Sequence, residues 1–87
     1  MERISGPHHG FYLASYAAET GVPGGGWLGY AKVCRRRPES YWDANCVVKL
    51  CGEGLHASAD HAITEAEQRA IEQLRDIVSS AGEAAYA

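Results

Sequence analysis

The hydrophobic period of this chain changes once, and that change limits the folds open to it. In YWDANCVVKLC, residues 41–51, the side chains alternate. Trp42, Ala44, Cys46, Val48 and Leu50 point one way; Tyr41, Asp43, Asn45, Val47, Lys49 and Cys51 point the other. Further on, Ala66, Ala70, Ile71, Leu74, Ile77 and Val78 recur with a period of 3.6. The first pattern predicts a strand with one core face and the second an amphipathic helix. Each must bury its apolar side, which a sheet layered on a helix achieves.

Two further strands precede these elements. FYLASYAA (11–18) and WLGYAKVCR (27–35) are rich in aromatic and apolar residues and have strand length. ETGVPGGG (19–26) between them reads as a long hairpin loop. It has no Gly-Lys-Ser/Thr ending, so it is not a phosphate loop. RRPES (36–40) reads as the next turn. Thr64 with Glu67 forms an expected capping box for the helix, and Gly82 an expected stop.

The chain is thus expected to be α+β, two-layer and β-β-β-α, with a three-stranded antiparallel sheet packed on one C-terminal helix. Residues 1–10, with Gly6, Pro7 and Gly10, read as an irregular arm, 11–82 as the domain, and 83–87 as a frayed tail. The expected core holds Leu13, Val33, Trp42, Ala44, Cys46, Val48, Leu50, Ala70, Leu74 and Ile77. Gly29 is expected to allow close approach across the sheet, and Trp42 to pack on the helix.

Composition narrows the function. At 87 residues the chain is one small domain. A hydrophobic fraction of 46% argues against disorder. A net charge of −3 argues against a general nucleic-acid binder. MERISGPHHG lacks a signal peptide's apolar core, and no apolar run reaches the ~20 residues of a membrane span. With an odd number of cysteines, a reducing, cytoplasmic setting with free thiols is expected.

Cys46, Cys51, His56 and His61 fall five residues apart. Cysteines of common zinc modules come two to four apart. On one strand, Cys46 and Cys51 would also face opposite sides, about 17 Å apart at ~3.3 Å per residue. Cys51, His56 and His61, with Asp60, remain the candidate metal or small-ligand set, zinc being the candidate ion. An accident of spacing is the expected reading, with no cofactor. A cysteine–histidine hydrolase drawn from the same residues lacks a feature that lowers the thiol pKa. No catalytic residues are assigned, and no enzymatic activity is expected.

Arg35, Arg36 and Arg37 are the basic cluster. They read first as a solvated turn and second as a contact for phosphate or an acidic partner. The aromatic residues are more informative. One helix covers one sheet face, and the tyrosines and tryptophans cannot all turn inward. Tyr12, Tyr16 and Tyr30 are the candidate interface residues. An exposed aromatic face fits a subunit interface first, cover by the N-terminal arm second and base stacking third.

In element order, residues 11–80 resemble the β-β-β-α part of the double-stranded-RNA-binding domain, without its first helix. That resemblance implies phosphate-gripping lysines where the last helix opens. Here Thr64-Glu65-Ala66-Glu67-Gln68 stands instead, and it is acidic. GYAKVCRRRP, YWDA and ITEAEQRAIEQL are also similar to small uncharacterised bacterial proteins, a likeness that implies no activity. The expected function is a non-catalytic interaction domain whose partner is a protein or a second copy of itself. Metal or small-ligand binding, or a weak single-stranded nucleic-acid contact through Arg35–Arg37 and the sheet aromatics, are the alternatives.

Overall fold

Residues 2–8, expected within an irregular arm, form a strand. The computed structural model describes residues 1–86 apart from Pro23 and Ala44, with side chains described as far as Asp76. Strand β1 (Glu2–His8) pairs antiparallel with β2 (Phe11–Glu19), β2 with β3 (Trp27–Cys34), and β3 with β4 (Cys46–Cys51). Helix α1 (Ala59–Tyr86) completes the chain. Sheet order follows chain order. The two-layer α+β architecture is as expected, but with four strands rather than three.

Gly6 and Pro7 conceal β1 in the sequence. Proline cannot donate to a ladder, and it is tolerated here because β1 is an edge strand. The register also slips between Ser5 and His8, where these two residues lie. The readable signal is His9-Gly10. Both have positive φ, 50° and 86°, which suits a two-residue hairpin turn.

Small residues let α1 lie directly on the central strands. Ala62, Ala66 and Ala70 are fully buried beside Ile63 and Leu74. They meet Leu13 and Ala17 of β2 and Ala31 and Val33 of β3. Gly29 is the point of closest approach: a Cβ there would collide with the Ala62 carbonyl oxygen and press on the Ala66 methyl. The close approach expected of Gly29 is therefore made by the helix, not by a neighbouring strand.

The edge strand β1 is tied to the helix by polar contacts. Arg3 Nη1 donates to Glu67 Oε1 at 2.6 Å, and Ser5 Oγ donates to Glu67 Oε2 at 2.9 Å. Glu67 is thereby taken by β1 and forms no capping box with Thr64. The helix begins a turn and a half earlier than expected. Ser58 caps it: its Oγ accepts from the His61 N–H at 3.2 Å and its carbonyl from the Ala62 N–H at 3.2 Å. Asp60 adds a negative charge to the first turn. The expected stop at Gly82 lies within the span of α1, as does the expected frayed end apart from Ala87, which is outside the described residues.

The expected core is right where the strands were placed correctly. Leu13, Val33, Ala70 and Leu74 are fully buried, and half-buried Val48 and Leu50 pack against them. Trp42 and Cys46 are not core: Trp42 is 67% exposed, and Cys46 is exposed. The cause is the late start of β4. Residues 41–43 and Asn45 lie outside any strand, so their alternation has no sheet to refer to. Ala44 and the Ile77 side chain lie outside the described residues. Among the described residues, no helix is long and apolar enough to cross a membrane.

Two substitutions on the helix-facing side of the sheet should have opposite signs. Gly29→Ala must push α1 off the sheet and is expected to destabilise by about 1–3 kcal/mol. Ser15 is fully buried, and its Oγ has no hydrogen-bond partner. Ser15→Ala removes an unsatisfied group at nearly constant volume and should leave stability unchanged or raised. Urea unfolding of both variants checks the pair.

Candidate interaction surface

The sheet face opposite α1 is built by alternate residues of each strand. Tyr12, Ala14 and Tyr16 of β2, Tyr30, Lys32 and Cys34 of β3, and Lys49 of β4 point there. Across the ladders Tyr16 lies opposite Tyr30, and Lys32 lies opposite Lys49. All three tyrosines expected at an interface are thus on one face.

The loop between β3 and β4 folds back over this face. Tyr41 is 3% exposed and clusters with Ala14 and Cys34, with Ile4, Tyr12, Tyr16 and Tyr30 packed around them. The Tyr41 ring stacks on that of Tyr16, with centroids 5.5 Å apart. Trp42 packs at a steep angle to both, 5.0 Å from Tyr16 and 5.1 Å from Tyr41. Ser40 Oγ accepts from the Asp43 N–H at 3.2 Å and steadies the turn that carries Trp42. The arm considered as a cover for this face is an edge strand instead, and the cover comes from Tyr41 and Trp42.

Lys32 holds the loop down. Its Nζ donates to the Tyr41 carbonyl at 2.8 Å and lies 4.2 Å from the centre of the Tyr41 ring. Such a cation–π contact is worth about 0.5–1 kcal/mol at an exposed site. Lys49 directly across the ladder offers Lys32 only like charge, an unfavourable pairing. Around the two lysines is an open cleft of about 360 Å³, walled by Tyr16, Tyr30, Tyr41 and Trp42. On the other side of the loop a second cleft, of about 440 Å³, is lined by Arg35, Arg36 and Arg37 with Asp43 and Val47 among others. The three arginines are exposed.

Charge is segregated between the faces. Arg3 pairs with Asp60 and Glu67, and Arg69 with Glu53 and Glu65. Those pairs tie the ends of the sheet to α1. Lys32, Arg35, Arg36, Arg37 and Lys49 are five of the chain's eight lysines and arginines. Among the described residues none of the five has a carboxylate partner.

The five-residue ladder does not converge. Cys51 ends β4, exposed and opposite Tyr30. His56 is held beside β3 by backbone hydrogen bonds with Trp27 (2.8 and 2.9 Å), and its Nε2 lies 3.3 Å from Glu65 Oε1. His61 is exposed in the first turn of α1. Among the described residues no three His, Cys, Asp or Glu side chains come together as a metal site. Tyr41 is among the tyrosines that are too many to bury, whereas nothing in the sequence singles out Lys32 and Lys49. Asp43 and Asn45, both turn formers, are the signal that the strand starts after them.

Burial pushes the Cys34 thiol above its ordinary range; nearby Cys46 adds to this and Lys32 opposes it. Burial also raises the Tyr41 phenol, with smaller contributions from Tyr30, Cys46 and Cys51. Both groups favour their neutral forms in the fold. The stability they contribute is complete below the unfolded-state values and is lost as pH rises through the folded ones. Denaturation midpoints should therefore fall from about pH 8.5 upward, and Cys34→Ala should remove the first part of that fall. In native protein Cys46 and Cys51 should react rapidly with Ellman's reagent, and Cys34 only on unfolding.

Comparison with protein-family models, curated proteins and solved structures finds no match to this chain.

Proposed function

We propose that this chain is a non-catalytic contact domain, that its working surface is the sheet face opposite α1, and that its partner is anionic. One observation carries this reading. Lys32 and Lys49 face each other across the ladder, inside an aromatic cleft and without a carboxylate partner, on a chain of net charge −3. Like charges directly opposite destabilise a sheet. An anion bound between them turns that cost into affinity.

Self-association through the same face is the competing reading, supported by the exposure of Trp42. Charge disfavours it. A two-fold contact brings each patch against its own copy, so Lys49 and Arg35–Arg37 would meet the same cations. A partner of opposite sign has no such penalty.

The test is retention on a heparin column, heparin serving as a sulfated polyanion. At ~50 mM salt the chain should be retained despite its negative net charge, and it should elute as salt rises. Lys49→Glu should elute earlier. Arg75→Glu, on the exposed side of α1, should not. Passage of the unaltered protein without retention would sink the proposal, and a stable dimer by light scattering would favour self-association.

A further inference from the structure

We infer that the anionic partner is single-stranded nucleic acid, its bases stacking at Trp42 and its phosphodiesters following Lys49 and Arg35–Arg37. The inference rests on the reading of the sheet face as an anion-binding surface and names the class of anion.

Three features lead to it. The first is the pose of Trp42. Most large apolar rings of this face are at least half buried, yet Trp42 is 67% exposed. It is not loose: it packs against Tyr16 and Tyr41 at interplanar angles of 64° and 89°. An indole held in place yet about two-thirds open to solvent offers ring surface, and every base has a π-face to stack on it. Acidic peptides have carboxylates but no such ring, and lipid headgroups have phosphate but no flat stacking partner.

The second feature is the spacing of the cations. Val47 lines the arginine cleft and Lys49 the aromatic cleft. They are two residues apart on β4, where the register with β3 slips, so at ~3.3 Å per residue they are at most about 7 Å from one another. The two clefts are therefore neighbours along one strand, with the Trp42 turn between them. A compact anion fills one cleft. A linear polyanion passes from one to the other and meets the unpaired cations in succession.

The third feature separates single strands from duplexes. In a duplex the base faces are covered by their neighbours, and an α-helix or loop reads the grooves instead. Here α1 lies on the far side of the sheet and carries Asp60, Glu65, Glu67, Glu72 and Asp76. What the open face offers is rings and cations on a sheet, which suits unstacked bases. The negative net charge is no obstacle, because six of the eleven acids lie on α1; Asp43, in the arginine cleft, and Glu39 are the acids of the β3–β4 loop.

The experiment follows Trp42 fluorescence in a Trp27→Phe background. The probes are an oligothymidylate of ~12 nucleotides, an abasic oligonucleotide of equal length, the matching duplex and poly-glutamate. Oligothymidylate should quench Trp42 and bind about tenfold or more tighter than the abasic strand, as stacking of a base requires. Its affinity should fall steeply with salt. Trp42→Ala, read by anisotropy of a labelled strand, should lose that advantage and leave abasic binding unchanged. Both substituted side chains lie outside the fully buried core, and circular dichroism checks that the variants fold.

Equal binding of the abasic strand and oligothymidylate would overturn this inference and leave the anion-binding face standing. So would poly-glutamate binding as tightly as oligothymidylate, which would make the partner an acidic protein segment. Tighter binding of the duplex would also overturn it. Failure of every probe, together with failure on heparin, would remove the anion-binding reading as well.

Discussion

The contact of Gly29 with Ala62 and Ala66 sets the height of the helix above the sheet, and much else follows from it. With no side chain at Gly29, α1 lies close over β2 and β3, its alanines at the near approach and Ile63 and Leu74 buried beside them. One helix seated on the two central strands leaves the edges to other devices. On β1 the device is electrostatic, with Arg3 and Ser5 both bound to Glu67. On β4 it is partial burial of Val48 and Leu50 against the shared core.

A single helix leaves the second face of the sheet open. Ala14 and Cys34, which point into it, are fully covered all the same, because the β3–β4 loop returns to lay Tyr41 on them. That arrangement depends on Lys32, which bonds the Tyr41 carbonyl and lies against its ring. The same lysine cannot neutralise its neighbour Lys49. Cover of the apolar patch and exposure of positive charge are thus produced by one group of residues. Ion pairing divides the protein accordingly: Arg3 and Arg69, between sheet edge and helix, have carboxylate partners, and the cations of the far face have none among the described residues.

Part of this surface was readable in advance. The excess of aromatic residues over what one helix can cover required exposed rings somewhere, and Tyr12, Tyr16 and Tyr30 do lie on the open face. The arginine run at 35–37 does flank it. Lys32 and Lys49 were not readable, since a lysine on a strand is ordinarily a solvated residue. Their significance comes from facing each other across a ladder whose register no local pattern states. The spacing of Cys46, Cys51, His56 and His61 was visible but uninformative: strand, bridge and helix carry these residues to different places.

The sequence by itself determined the layers. A period of two, a period of 3.6 and the glycine-rich break at 21–26 suffice to require strands, a hairpin and a helix with its apolar stripe at Ala66, Ala70 and Leu74. Such patterns are local, and burial on one side of an element is all they encode. Only the tertiary structure decided the rest. It made residues 2–8 a strand despite Pro7, because an edge position spares that proline a ladder bond. It moved the helix start to Ser58, whose hydroxyl and carbonyl take the first-turn N–H groups, and gave Glu67 to Arg3. It started β4 only at Cys46 and brought Tyr41 to Tyr16. Those outcomes depend on contacts between residues far apart in the chain, where competing partners, rather than local preference, settle the geometry.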